Sequence, residues 1–413
     1  MALVSAGELR DAAEAIRGDV VDFCRRLIRV PSETGCEGAV AEVFRAELER
    51  LGFESVILDA FGNVCARVPG AALDGNLLLT GHLDQVRVET HFPGHEGQWR
   101  SDPFAAEIRD GCIWGRGASD VKGALAAQVH AARLLESMKP DMPGDVIVSG
   151  VVHDEQSFPL GIRVLCEETL PRLGWNVDMA VTGSATSLDI ALGHMGKVEL
   201  DVTLKGVSRH LREVEHAINP IYESRTLVEV LRQVARDLPA SPVLGRERMA
   251  PTGVTTTSPQ SSITPSAYTA SINWRFLPGR AKEDVTQELE RACHEAASAN
   301  PDFKFQIVEK PLTVTSYTGV ERTVGASCGA FLMPETDPFV QRVKRALEAV
   351  GQTPGFTTWT VPTHAGYLGG TLGLPTVGYS PCEYEFNHTT EDRVGVDALF
   401  EAMIGYAAIA LGL

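Results

Sequence analysis

Leu77-Leu78-Leu79-Thr80-Gly81-His82-Leu83-Asp84 is an apolar run that ends abruptly in a histidine and an aspartate. A short, unbroken apolar run of this kind reads as a strand buried on both faces, as in a parallel sheet sandwiched by helices. In open sheets of that type ligands gather beyond the carboxyl ends of the strands. His82 and Asp84 are therefore the first candidate functional residues. The same texture recurs at residues 145–152 and 376–379, and helical spacing marks residues 8–29, 37–51, 122–138, 161–173, 337–351 and 395–411. Alternating strands and helices predict an α/β fold whose central mixed sheet is covered by helices on both faces.

Between these two α/β stretches the texture changes. Residues 197–205, 267–276 and 303–309 alternate like half-exposed strands, and 220–238 and 281–299 read as helices. This pattern predicts a smaller α+β, ferredoxin-like domain inserted into the larger one, with helices on one face of its sheet. The expected division is 1–196 and 315–413 for the larger domain and 197–314 for the insert, with the Pro/Ser/Thr-rich stretch 251–265 as a mobile loop.

The chain has 413 residues, 44 % of them apolar, enough for two or three buried cores. Its 37 Lys and Arg against 54 Asp and Glu leave a net charge of −17. That surplus repels nucleic acid and anionic membrane surfaces alike. Eight cysteines are scattered with no CxxC pair, the pattern of reduced thiols rather than of a disulfide framework. The first thirty residues mix acids with apolar residues, unlike a signal peptide, and no long uncharged apolar run follows. The expected location is the cytoplasm.

Four further motifs follow His82 and Asp84. Gly115-Arg116-Gly117-Ala118-Ser119-Asp120-Val121-Lys122-Gly123 presents Asp120 just before an Ala-rich helix. His153-Asp154-Glu155-Gln156 follows a strongly apolar strand, where acids are costly unless they ligate or catalyse. Lys205-Gly206-Val207-Ser208-Arg209-His210 lies in the insert, and Asn387-His388-Thr389-Thr390-Glu391-Asp392 lies near the end. Taken singly, each is equally a hydrogen-bonded loop histidine, a helix N-cap or a solvated acid.

Taken in order, these five motifs, with the opening Arg25–Gly38 segment, resemble the M20 metallopeptidase family of aminoacylases, deacylases and carboxypeptidases across essentially the whole chain. The resemblance implies a zinc-peptidase-like α/β domain with an inserted lid that pairs two copies into a homodimer. It implies His82, Asp120 and His388 as zinc ligands, with Asp84 orienting His82 and Glu155 as the proton acceptor. His210 would steady the oxyanion from across the dimer, and Arg275 would hold a substrate carboxylate.

Two ligand positions depart from the family. Gln156 and Ser184 stand where it has carboxylates, unless the frame shifts so that Asp154 and Glu155 form the base–ligand pair. With Asp120 as the only carboxylate, two divalent ions would carry an uncompensated surplus of charge. The expectation is one zinc ion or none, with Gln156 adding a neutral oxygen. His364, where the family has Asp or Asn, is a candidate for substrate binding or for replacing a lost ligand, and His153 adds another imidazole. The leading function is hydrolysis of an amide bond in a small N-acyl amino acid or peptide-like metabolite at an atypical metal site. The alternatives are a metal-independent transferase, lyase or cyclase using Glu155 and histidines for acid–base chemistry, and a non-catalytic binding protein.

Overall fold

The computed structural model describes residues 4–70, 75–91, 97–139, 142–155, 158–258 and 260–412. An eight-stranded mixed sheet organises the larger body, in the order Val56–Leu58, Val64–Val68, Val146–Val151, Leu77–His82, Met179–Thr182, Thr376–Gly378, Ile190–Ala191 and Phe356–Thr357. Leu77–His82 lies at its centre, parallel to both neighbours. Side-chain alternation sends Leu79, Val148 and Val181 into one core, with the helices Gly123–Met138 and Val396–Leu411. Leu78, Ile147 and Ala180 enter a second core on the opposite face. Both faces are thus covered, which is why these strands read as continuous apolar runs.

The opening helix differs from expectation. It is two helices, Ala6–Ala15 and Arg17–Ile28, parted at Ile16, whose backbone leaves the helical region. Gly18, a weak helix former, sits in the first turn after the break. The break lets Leu9 and Ala13 on one segment and Val20, Phe23 and Leu27 on the other all reach the same core.

The smaller unit is an antiparallel sheet in the order Arg248–Thr257, Ala267–Phe276, Gly196–Lys205 and Lys304–Glu309, with Ser327–Cys328 also pairing to Gly196–Lys205. The helices Pro220–Arg236 and Lys282–Ala299 bury one face of it, around Val198, Leu200, Ile272 and Trp274. The expected loop at 251–265 is instead an edge strand as far as Thr257. Val254-Thr255-Thr256-Thr257 is β-branched throughout, and Pro251 sits at a register shift on the outer strand, where a missing N–H is tolerated.

The chain returns to the larger body through the hairpin Pro311–Thr315 and Glu321–Gly325. Tyr317 at its turn donates to the Gly62 carbonyl at 3.2 Å. A Cβ on Gly62 would lie 2.3 Å from the Tyr317 ring, and one on Gly38 2.9 Å, so both glycines are the floor for this ring. Gly62 also has φ +112°, a conformation side chains avoid. All eight cysteines are free, and among the described residues no helix is long and apolar enough to cross a membrane.

Two stability predictions follow from this packing. Gly62→Ala combines a clash with a strained backbone and lowers stability by about 1–3 kcal/mol in denaturant titration. His130 is wholly buried beside Glu47, and burial pushes its pKa down to about 4. Below its unfolded pKa near 6.5 the unfolded chain takes up a proton the folded chain refuses, so stability falls as pH drops from about 6.5 towards 4. His130→Gln removes a slope of about 1.4 kcal/mol per pH unit in that window, read by comparing the two proteins' unfolding curves across pH.

Candidate metal centre

Three strand ends and two loops converge beyond the carboxyl edge of the central sheet. His82 closes its strand with Nδ1 held 3.0 Å from the Asp84 backbone carbonyl. Its Nε2 faces Asp120 Oδ1 at 3.2 Å and Asp154 Oδ2 at 4.0 Å. The other oxygen of Asp120, Oδ2, lies 3.2 Å from His388 Nε2. That nitrogen is also 3.2 Å from Glu155 Oε2. Donor atoms about 3.2–3.5 Å apart have the spacing of neighbouring ligands on a tetrahedral ion with bonds of about 2.0–2.2 Å. Ligand atoms of His82, Asp120 and Glu155 all lie within 4.8 Å of one another.

The loops are aimed by buried anchors. Asp392 accepts from the backbone N–H groups of Gly117 at 2.7 Å and Ser119 at 2.9 Å and pairs with Arg116, fixing the turn that carries Asp120. Lys122, fully buried just beyond, donates to the Val30 carbonyl and Gln85. Asp84 Oδ2 accepts from Thr34 and from the backbone N–H groups of both Asp154 and Glu155, so it positions that turn as well as standing behind His82. Glu37, buried and unnoticed in the sequence, accepts from the His153 N–H. His153 and His388 both adopt φ near +50°, an uncommon backbone for non-glycine residues, at the two turns that present Glu155 and the His388 imidazole.

Electrostatics follow from this packing. Burial opposes ionisation of Asp120, yet the His388 and His82 imidazoles hold its carboxyl below the usual carboxylate range. Burial, reinforced by the charge on Asp120, pushes Glu155 up to about 7. Burial works against a proton on His388, but Asp120 and Glu155 outweigh it and raise the imidazole to about 10. Asp84 Oδ1, Glu155 Oε1 and His364 Nε2 are buried without hydrogen-bond partners. Asp84 Oδ1 stands behind His82, 3.6 Å from its Nδ1, while unpaired buried atoms such as those of Glu155 and His364 are costly unless a ligand takes them up. The set of imidazoles and carboxylates suits a divalent ion of the zinc type.

The site differs from the sequence expectation in its charge. Asp120 is not the only carboxylate, because Asp154 and Glu155 both turn into the cluster. The left-handed turn at His153 re-aims the chain just past the strand end, which residue spacing alone did not reveal. His364, wholly buried, reaches Asp154 Oδ2 with Nδ1 at 3.3 Å, and its ring stands edge-on to His82. Ser184 is buried and offers no carboxylate, and Gln156 lies outside the described residues. His210 is not brought to the cluster within one chain; it is exposed on the smaller unit, where its Nδ1 accepts from the Arg212 N–H. Arg275 is half-buried on the smaller sheet.

The family model for Peptidase family M20/M25/M40 matches residues 78–411. The chain is 25 % identical over 403 residues to the Escherichia coli K12 protein YgeY, covering 97 % of this chain and 96 % of that one. It is 30 % identical over 356 residues to succinyl-diaminopimelate desuccinylase of Maricaulis maris, covering 81 % of each. A putative aminohydrolase from methicillin-resistant Staphylococcus aureus has the same fold, with a TM-score of 0.72 at 14 % identity over 98 % of each chain. The YXEP protein of Bacillus subtilis, described as a dinuclear metal binding peptidase from the M20 family, has a TM-score of 0.67 at 14 % identity, over 96 % of this chain and 98 % of that one. With five motifs in order and a family match over most of its length, the chain belongs to Peptidase family M20/M25/M40.

Proposed function

We propose that this protein hydrolyses the amide bond of a small N-acyl amino acid or peptide-like metabolite at a metal centre held chiefly by Asp120, Glu155 and His388. The observation that carries this reading is the divided carboxylate of Asp120, one oxygen facing each imidazole. A divalent ion bound there supplies Lewis-acid polarisation of the scissile carbonyl and of a water.

Of the two readings of the acid pair, the geometry favours Asp154 as proton acceptor and Glu155 as ligand. Glu155 shares His388 with Asp120, as a ligand would, whereas Asp154 stands back 4.0 Å from His82 and is steadied by His364. Asp154 takes a proton from water and returns it to the leaving amine, with His364 holding its carboxylate in place. Arg275 provides the cation for a substrate carboxylate.

The two halves of the centre are unequal. Asp120, Glu155 and His388 give a complete three-donor set whose two carboxylates neutralise one divalent ion. The His82 half has Asp120 but Ser184 in place of a further carboxylate, so it holds a second ion more weakly. Metal analysis after dialysis against limiting zinc is expected to give one tight equivalent per chain, with a second bound only at higher zinc. Chelation abolishes hydrolysis of N-acyl amino acids and zinc restores it; activity indifferent to chelation rules the reading out. Asp154→Asn lowers kcat by about 10²–10⁴ with metal content unchanged, whereas Glu155→Gln sheds the tight ion. Full turnover in the Asp154 variant would return the base role to Glu155.

A homodimer through the smaller unit is the second part of this proposal. Leu211, Val214, Ile221, Tyr222 and Val254 are exposed on that unit, and the outer strand Arg248–Thr257 pairs on one side only among the described residues. An exposed strand edge beside apolar residues is a surface for a second copy. In this reading the exposed His210, adjoining Leu211 in the chain, reaches into the partner's cleft. Val254→Asp with Tyr222→Asp is expected to halve the mass in sedimentation and to reduce kcat along with it; an unchanged dimer shows that the contact lies elsewhere.

A further inference from the structure

In a chain with a net charge of −17, four cations gather at one end of the smaller sheet. Lys197 stands directly opposite Arg275, and Arg275 directly opposite Arg248, on three adjacent antiparallel strands. Residues directly opposite share a face, and like charges so placed repel. Lys310 joins them through Glu199, which it meets at 3.3 Å and which Lys197 meets at 3.1 Å. Glu199 is thus divided between two lysines, and the next acid along the face, Asp201, is taken by Ser271.

Arg275 is left over. Among the described residues its guanidinium has no carboxylate within ion-pairing distance, and its Nη1 is buried without a hydrogen-bond partner. A guanidinium nitrogen deprived of water and given no acceptor is costly, so the fold carries this arrangement for something that arrives.

The surroundings tie the patch to the metal centre. Val198 and Leu200 pack under the helices, so Lys197 and Glu199 point to the other, open face. The Phe158 ring, three residues beyond Glu155, lies 4.2 Å from the Lys197 ammonium. His194, an electrostatic neighbour of Arg275, accepts from the Thr363 N–H beside His364. Tyr384, another neighbour of Arg275, precedes His388 by four residues. The segments carrying Glu155, His364 and His388 therefore all border the cations.

We propose that Lys197 and Arg248, flanking Arg275, select substrates whose acid end carries two separate carboxylates over substrates that carry one. Lys197 and Arg248 lie two strand spacings apart, about 10 Å. That spacing is between backbones, and with Arg275 standing between them the two outer cations can each meet a different carboxylate on a short chain. The inference deepens the hydrolytic reading by naming a substrate class, but its test needs no turnover.

Calorimetric binding of succinate and butyrate, neither of which has an amide to cleave, reads the preference directly. The zinc-loaded protein is expected to bind succinate at least about tenfold tighter than butyrate, the size of effect one charge-assisted contact supplies. Lys197→Met keeps the stem beneath Phe158 and is expected to bring the ratio towards one while leaving butyrate affinity in place. Arg248→Gln, on an exposed strand, lowers the ratio without touching the core and serves if the Lys197 variant fails to fold. Equal affinities in the unaltered protein, or a ratio unmoved by both variants, overturn the proposal. Inorganic phosphate binding as tightly as succinate overturns the dicarboxylate assignment. Stripping the metal separates the two readings: the preference persists if the cations set it, and its loss assigns it to the metal centre and overturns the role of Lys197. A preference that survives in a protein found not to hydrolyse amides upholds this inference while the proposed reaction fails.

Discussion

The two oxygens of Asp120, each facing a different imidazole, are the constraint around which the rest of the cleft is arranged. A carboxylate can hold two imidazoles only if its own backbone is immobile, and much of the surrounding buried polar structure serves that end. Asp392 grips the turn before it, and Lys122 fills the space after it with an ammonium bonded to a backbone carbonyl and an amide. Asp84 applies the same device to the opposite wall, where one of its oxygens gathers two consecutive N–H groups of the acid pair. These anchors lie between elements distant in sequence, so the centre assembles only when the whole sheet has formed.

Much of the fold was legible because its signals are local. The strand Leu77–His82 and the strand Ala267–Phe276 announce themselves by run and by alternation, and the helix Pro220–Arg236 by its helical pattern. The edge strand Arg248–Thr257 was misread because proline, serine and threonine mark loops in most settings, and only its position on the outer edge makes Pro251 harmless. Within the centre, His82, Asp120 and His388 stood out by motif order. The inward turn of Asp154 and Glu155 depends on a left-handed residue at His153, which no pattern of apolar and polar residues encodes. Nor could the sequence indicate that Arg275 Nη1 would be buried without a hydrogen-bond partner among the described residues, since register across three strands decides what stands opposite it.

The two units divide the chemistry between opposite signs. The larger body concentrates carboxylates and imidazoles at its sheet edge, a setting made for cations. The open face of the smaller sheet concentrates Lys197, Arg248, Arg275 and Lys310, a setting made for anions. A ligand lying between them experiences a field that orients it before any close contact forms, because its acid end is drawn to one wall and repelled by the other.

Two covalent legs join the smaller unit to the larger, and Tyr317 grips only one of them. With its ring lying on Gly38 and Gly62 and its hydroxyl bonded to the Gly62 carbonyl, the returning leg is pinned like the fixed jaw of a clamp. The outgoing leg is held as firmly by other means: Gly193 and His194 pair with Phe331 and Leu332, and the buried His194 ring packs on Phe331 and Trp359 while accepting from the Thr363 N–H, so the smaller unit is anchored at both roots and not hung from one hinge.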